Sequence, residues 1–80
     1  MNLKFELIRG RYTSDTLKCN GFVVGHVSYS IERNDPVPEH AHVNFLERSY
    51  VKKFKNRNDA VEWMKLYFEF LLKKACGFSE

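Results

Sequence analysis

Near the C-terminus the apolar residues Val61, Met64, Phe68, Leu71 and Ala75 recur at spacings of 3, 4, 3 and 4. At about 100° per residue that spacing places them on one stripe and predicts a helix over 59–75. A second apolar stripe, Ala60, Trp63, Tyr67 and Phe70, lies beside the first. Leu66 and Leu72 extend the apolar character further round, so the polar arc is reduced to Glu62, Lys65, Glu69 and Lys73. Asp59 followed by Glu62 has the form of a capping box, with Asn58 as the competing cap. Lys73 and Lys74 suit the negative pole of the helix dipole, and Gly77 suits a left-handed stop.

Upstream the period changes to two. Leu3, Phe5 and Leu7 alternate with Lys4 and Glu6, the pattern of a half-buried strand. The turn formers between Thr13 and Gly21 predict a loop. Phe22 to Ile31 carries the strongest strand signal, with Val23, Gly25, Val27, Tyr29 and Ile31 on one parity facing the helix. Gly25 on that face either marks a bulge or leaves room for a large helix side chain such as Trp63. Pro36 and Pro38 end this strand. A third strand runs from about His40 to Phe54, with a bulge or break where the apolar parity changes around Leu46 to Ser49. The expected architecture is α+β: a three-stranded antiparallel meander with one C-terminal helix packed on one face, βββα, leaving the other face open.

With 80 residues, the chain is expected to form one domain over 1–80 with a small core. Its net charge of +3 and pI near 9.0 favour an acidic partner but fall short of the bias that argues nucleic acid unaided. Cys19 and Cys76 lack the paired spacing of a metal or redox motif and read as free thiols. The N-terminal residues carry no apolar run of signal-peptide length, which places the protein in the cytoplasm. The helix is broken by charges and too short for a bilayer, so no membrane partner is expected.

Two constellations offer chemistry. Arg48, Lys52, Lys53, Lys55 and Arg57 crowd residues 48–58 without an acid among them, interleaved with Tyr50 and Phe54. Such a segment can neutralise phosphates while a ring stacks a base, or it can blunt a strand edge against self-pairing. His40-Ala41-His42 places two imidazoles on one strand face, between Glu39 and Glu47. That spacing resembles part of the cupin metal signature, but Asn34 and Phe54 stand where the flanking glycines belong, and Glu47 has the wrong parity. No metal or cofactor is expected. There is no phosphate loop, nucleophile elbow or activated cysteine, so no enzymatic activity is expected either.

A helix on a small sheet needs an apolar stripe of roughly 100°, and this one is much wider. Either the sheet wraps it, or Trp63, Tyr67 and Phe70 form a docking surface for another protein or a second copy. The three-strand pattern, the entry Phe-x-Asn-x-x-Asp-Ala-x-x-Trp from Phe54 to Trp63 and the aromatic terminal helix together resemble small accessory proteins of phages and mobile elements. Anti-CRISPR inhibitors are the best-known members of that category. The resemblance implies stoichiometric inhibition of a host protein complex. Because the chain is basic, it implies occupation of a protein surface rather than mimicry of DNA. The expected function is therefore a non-enzymatic protein-binding module. Two alternatives are a small basic RNA- or DNA-binding domain, using an open face with Tyr12, His26 and His42, and a homodimeric structural or regulatory protein.

Overall fold

The computed structural model describes residues 2–10 and 14–76; Tyr12 and Gly77 lie outside them. Five strands precede the helix: β1 Phe5–Arg9, β2 Ser14–Cys19, β3 Phe22–Tyr29, β4 Glu39–Phe45 and β5 Arg48–Phe54, then α1 Arg57–Ala75. All neighbours pair antiparallel, and the order across the sheet is the order in sequence. The α+β class and the single terminal helix agree with the sequence pattern, but the sheet has five strands, not three.

Both extra strands arise from two-residue turns. Asn20 and Gly21 sit at φ 50° and 86° and join β2 to β3, with Cys19 opposite Phe22. Positive φ at both positions is what a tight hairpin of this hand requires, and Asn-Gly adopts it at little cost. The expected loop from Thr13 to Gly21 is therefore largely a strand, whose Ser, Asp and Thr residues are carried by pairing on both sides. Leu46 and Glu47, at φ 48° and 66°, do the same between β4 and β5. The change of parity seen in the sequence is this turn, and the long third strand is a hairpin.

The helix lies mainly over β4 and also meets β3 and β5. Leu17, Val27, Ala41, Val43, Ala60 and Met64 are completely buried between the layers, joined by Val61, Phe68 and Leu71. Ala75, expected on the core stripe, is exposed. Phe68 closes the distal end with edge-on contacts to Phe5 and Phe45, at 6.3 and 5.8 Å between ring centres.

On β3 the inward parity holds only for Gly25 and Val27. A register shift opposite Leu17 and Lys18 turns Val24 inward, and Val23 is left exposed with Tyr29 and Ile31. Gly25 is required by close approach. A Cβ there would stand 2.2 Å from the His42 carbonyl oxygen and 3.0 Å from Met64 Cε. The side chain seated against it is Met64 rather than Trp63.

The helix begins two residues earlier than the periodicity indicates. Asn56 is the N-cap: its Oδ1 accepts from the Asp59 amide at 2.8 Å, while its Nδ2 donates to the Asp59 carboxylate at 3.0 Å. Asp59 thus supports the cap from the first turn. Arg57, the first helical residue, donates from Nε to Glu39 Oε1 at 2.6 Å and from Nη1 to Asp15 Oδ2 at 2.7 Å. Since Glu39 is buried and Asp15 half-buried, one guanidinium ties the start of the helix to β4 and β2, where opposite charges have lost part of their hydration and need each other.

Candidate functional site

The aromatic residues of the second helix stripe do not stand apart from the sheet. Trp63 packs on Phe54 at 5.7 Å and stacks on Tyr67 at 5.0 Å; Tyr67 meets Tyr50 at 5.2 Å and stacks on Phe70 at 6.0 Å. The result is one ladder of rings running along the flank where α1 overhangs β5. Alternation along β5 builds it. Tyr50, Lys52 and Phe54 pair with Val43, Ala41 and Glu39 and point to the helix side.

The ladder is covered at one end and open at the other. Trp63 and Tyr67 are half-buried against β5, whereas Phe70 is 55% exposed and its neighbour Leu66 is 65% exposed. The sheet therefore wraps part of the excess apolar surface of the helix and leaves the rest outside. Leu66 belongs with Phe70 on this open part, since residues four apart in a helix share a face. Lysines rim the rings: Lys52 Nζ lies 5.5 Å from the centre of Phe54, and Lys74 Nζ lies 6.0 Å from that of Phe70.

The basic segment is not one patch. Lys52 and Arg48 share the helix side of β5, while Lys53 pairs with His40 on the opposite face. Lys55 lies exposed in the link to the helix, and Arg57 is engaged with Asp15 and Glu39. Tyr50 and Phe54 are half-buried with their rings against Tyr67 and Trp63.

The open face of the sheet brings the histidines together. His26 and His42 are direct cross-strand partners with rings stacked at 4.5 Å and 13°, and His40 follows on the same face. Burial lowers the pKa of His42, and the charges of His26 and then His40 lower it further. His40 Nε2 lies 3.3 Å from Asp35 Oδ2. The Val37 amide, which donates to Asp35 at 3.0 Å, is the first cause holding that carboxyl below its ordinary range; partial burial opposes it, and Ser30 and His40 add to it. The stacked rings of His26 and His42 lie side by side instead of converging on a point. Among the described residues no three or more His, Cys, Asp or Glu side chains are arranged to hold a metal ion.

Elsewhere, a shallow depression of about 430 Å³ is lined by Asn2, Leu3, Lys4, Phe5 and Glu69, on the far side of the helix from the aromatic ladder. It pairs no nucleophile with a base. Cys19 is buried, which pushes its thiol pKa up and away from reactivity, and Cys76 is exposed at the helix end. No helix among the described residues is long and apolar enough to cross a membrane.

Comparison with protein-family models, with curated proteins and with solved structures returns no match in any of the three, so function has to be argued from the geometry of this chain itself.

Proposed function

We propose that this chain is a non-enzymatic protein-binding module that engages an acidic protein surface through the flank shared by β5 and α1. The observation that carries the reading is the open end of the aromatic ladder. Phe70 and Leu66 continue a packed row of rings into solvent, with Lys74 beside Phe70 and Lys52 over Phe54 at the other end of the row. Aromatic anchors inside a charged rim are the usual anatomy of a protein interface, and the positive rim selects and steers an acidic partner. Stoichiometric inhibition of a host protein complex is the form of this activity that the resemblance to phage accessory proteins implies. A reducing compartment, the cytoplasm, suits the two free thiols.

Nucleic acid is the weaker reading, because the lysines and arginines are divided between two faces and an internal ion-pair cluster. Light scattering on a size-exclusion column, at low and high salt with absorbance at 260 and 280 nm, separates the readings. A protein-binding module is expected to run as a nucleic-acid-free monomer. It should form a complex of defined stoichiometry with a partner from the cells that encode it, and Leu66→Ser with Phe70→Ser should abolish that complex while leaving the circular dichroism unchanged. Nucleic acid that co-purifies and is lost with a slope of roughly 0.9 log units per log salt for each phosphate would overturn the reading. So would a dimer that the same pair of substitutions dissociates, which would assign the apolar end to self-association.

A further inference from the structure

We propose that β5 receives an extended, acidic segment of the partner protein as a sixth strand of the sheet. The inference rests on the protein-binding reading and specifies the ligand and how it is held.

β5 is an outer strand, paired with β4 over its whole length without a register shift. The turn at Leu46–Glu47 determines which of its backbone groups are free. A two-residue hairpin turn makes the flanking pair, Phe45 and Arg48, a hydrogen-bonded one. Alternation then gives Arg48, Tyr50, Lys52 and Phe54 to β4. The N–H and C=O groups of Ser49, Val51 and Lys53 face outward, an unpaired edge that can accept another strand.

Charge decides which strand. From residue 48 to residue 55 the chain carries Arg48, Lys52, Lys53 and Lys55 and no acid. A second copy laid antiparallel on this edge would bring the positive residues of one strand among those of the other, with Lys52 opposite Arg48 when the pairing is centred on Tyr50, and like charges across strands repel. The lysines thus protect the edge from self-pairing, but they attract an acidic strand. The incoming chain is read on both faces. Residues on one parity lie on the helix side beside Arg48, Tyr50 and Lys52, which favours Asp or Glu. Residues on the other parity lie on the open face beside the exposed Val51, between Ser49 and Lys53, which favours apolar side chains. The ligand class is therefore an extended segment with alternating acidic and apolar residues.

The opposite edge lacks this chemistry. β1 is shorter, mixes Glu6 with Arg9, and has no overhanging ring ladder.

The test is fluorescence anisotropy with a labelled peptide of alternating Glu and Val, eight residues long, against the intact protein. Three comparisons are needed: a Lys-Val peptide, a Glu-Val peptide N-methylated at alternate amides, and the protein variant Val51→Pro. Val51→Pro deletes an outward donor and no donor to β4, so it is compatible with an edge strand. Saturable binding of the Glu-Val peptide is expected, weakened at least tenfold by N-methylation and by Val51→Pro and absent for Lys-Val. Amide exchange at Ser49, Val51 and Lys53 should slow in the complex. Equal binding of the N-methylated peptide, equal binding of Lys-Val, or no binding of Glu-Val overturns strand addition. N-methylated peptide is applied to unaltered protein, so a folding defect in Val51→Pro does not remove the test. If binding survives Val51→Pro and N-methylation but is lost in Phe70→Ser, the side-chain flank binds without strand addition and the broader reading stands alone.

Discussion

The two outer strands of the sheet are finished in opposite ways. β5 lies under the flank of the helix, hides Tyr50 and Phe54 against Tyr67 and Trp63, and carries charge of one sign. β1 lies further from the helix, which reaches it with Phe68 onto Phe5, leaves Leu7 and Ile8 over a third exposed, and mixes its charges. The difference follows from where a single helix is placed on a five-stranded sheet. It covers β3 to β5 well, so the edge beside it gains an apolar shelf and needs charge to prevent self-pairing. The distant edge gains neither.

The largest effect should come from cutting the link between the two halves. Arg57 joins β2, beside the β1 edge, to β4, beside the β5 edge. Arg57→Ala leaves Asp15 and Glu39 without their counter-charge and should lower stability by about 2–3 kcal/mol in urea unfolding. That lies below the range for a fully buried pair because a quarter of the Arg57 side chain is exposed. A loss under about 0.5 kcal/mol would show that the cluster holds nothing together. The comparison of the edges is sharpened by truncating one residue on each. Tyr50→Ala should cost about 1–2 kcal/mol, since a half-buried ring and its edge-on partner are lost. Leu7→Ala, already partly in water, should cost less than about 1 kcal/mol; equal costs would mean that the helix does not distinguish the two edges.

The smallest effect is one of pH and belongs to the open face between the edges. His42 has its folded pKa lowered, so the unfolded chain binds the proton more readily. Its contribution is complete above the unfolded value near 6.5 and is lost as pH falls from there toward the folded pKa. Stability measured from pH 7.5 to 5 should decline, and His42→Gln should flatten the decline. An identical slope in the variant would assign it to other groups.

The helix was legible from its periodicity, but its cap was not: Asn56 rather than Asp59 or Asn58 takes it, and Ala75, on the apolar stripe, stands exposed. The strand count was not. β2 carries Asp15 and Lys18, types depleted in strands, and they are tolerated here because β1 and β3 pair on either side. One local signal did exist: Asn20-Gly21 between Cys19 and Phe22 is a strong hairpin turn. Leu46-Glu47 offers no such cue, since neither residue favours positive φ and the turn is imposed by the ladder around it. In the candidate site, Trp63, Tyr67 and Phe70 were visible as a stripe. Their division into wrapped and open parts depends on the position of β5, and the stacking of His26 on His42 depends on a register that sequence spacing cannot specify.

Because every strand pairs with the next one in sequence, the sheet is assembled almost entirely from short-range closures, with little loop entropy to overcome. For a β-rich domain that points to fast folding. It also sets an order during synthesis: each hairpin can close as its second strand emerges, while Leu17, Val27 and Val43 stay wet until α1 follows them. Met64 is then the stopper of the core, and the inner face of the sheet becomes dry only when α1 has left the ribosome.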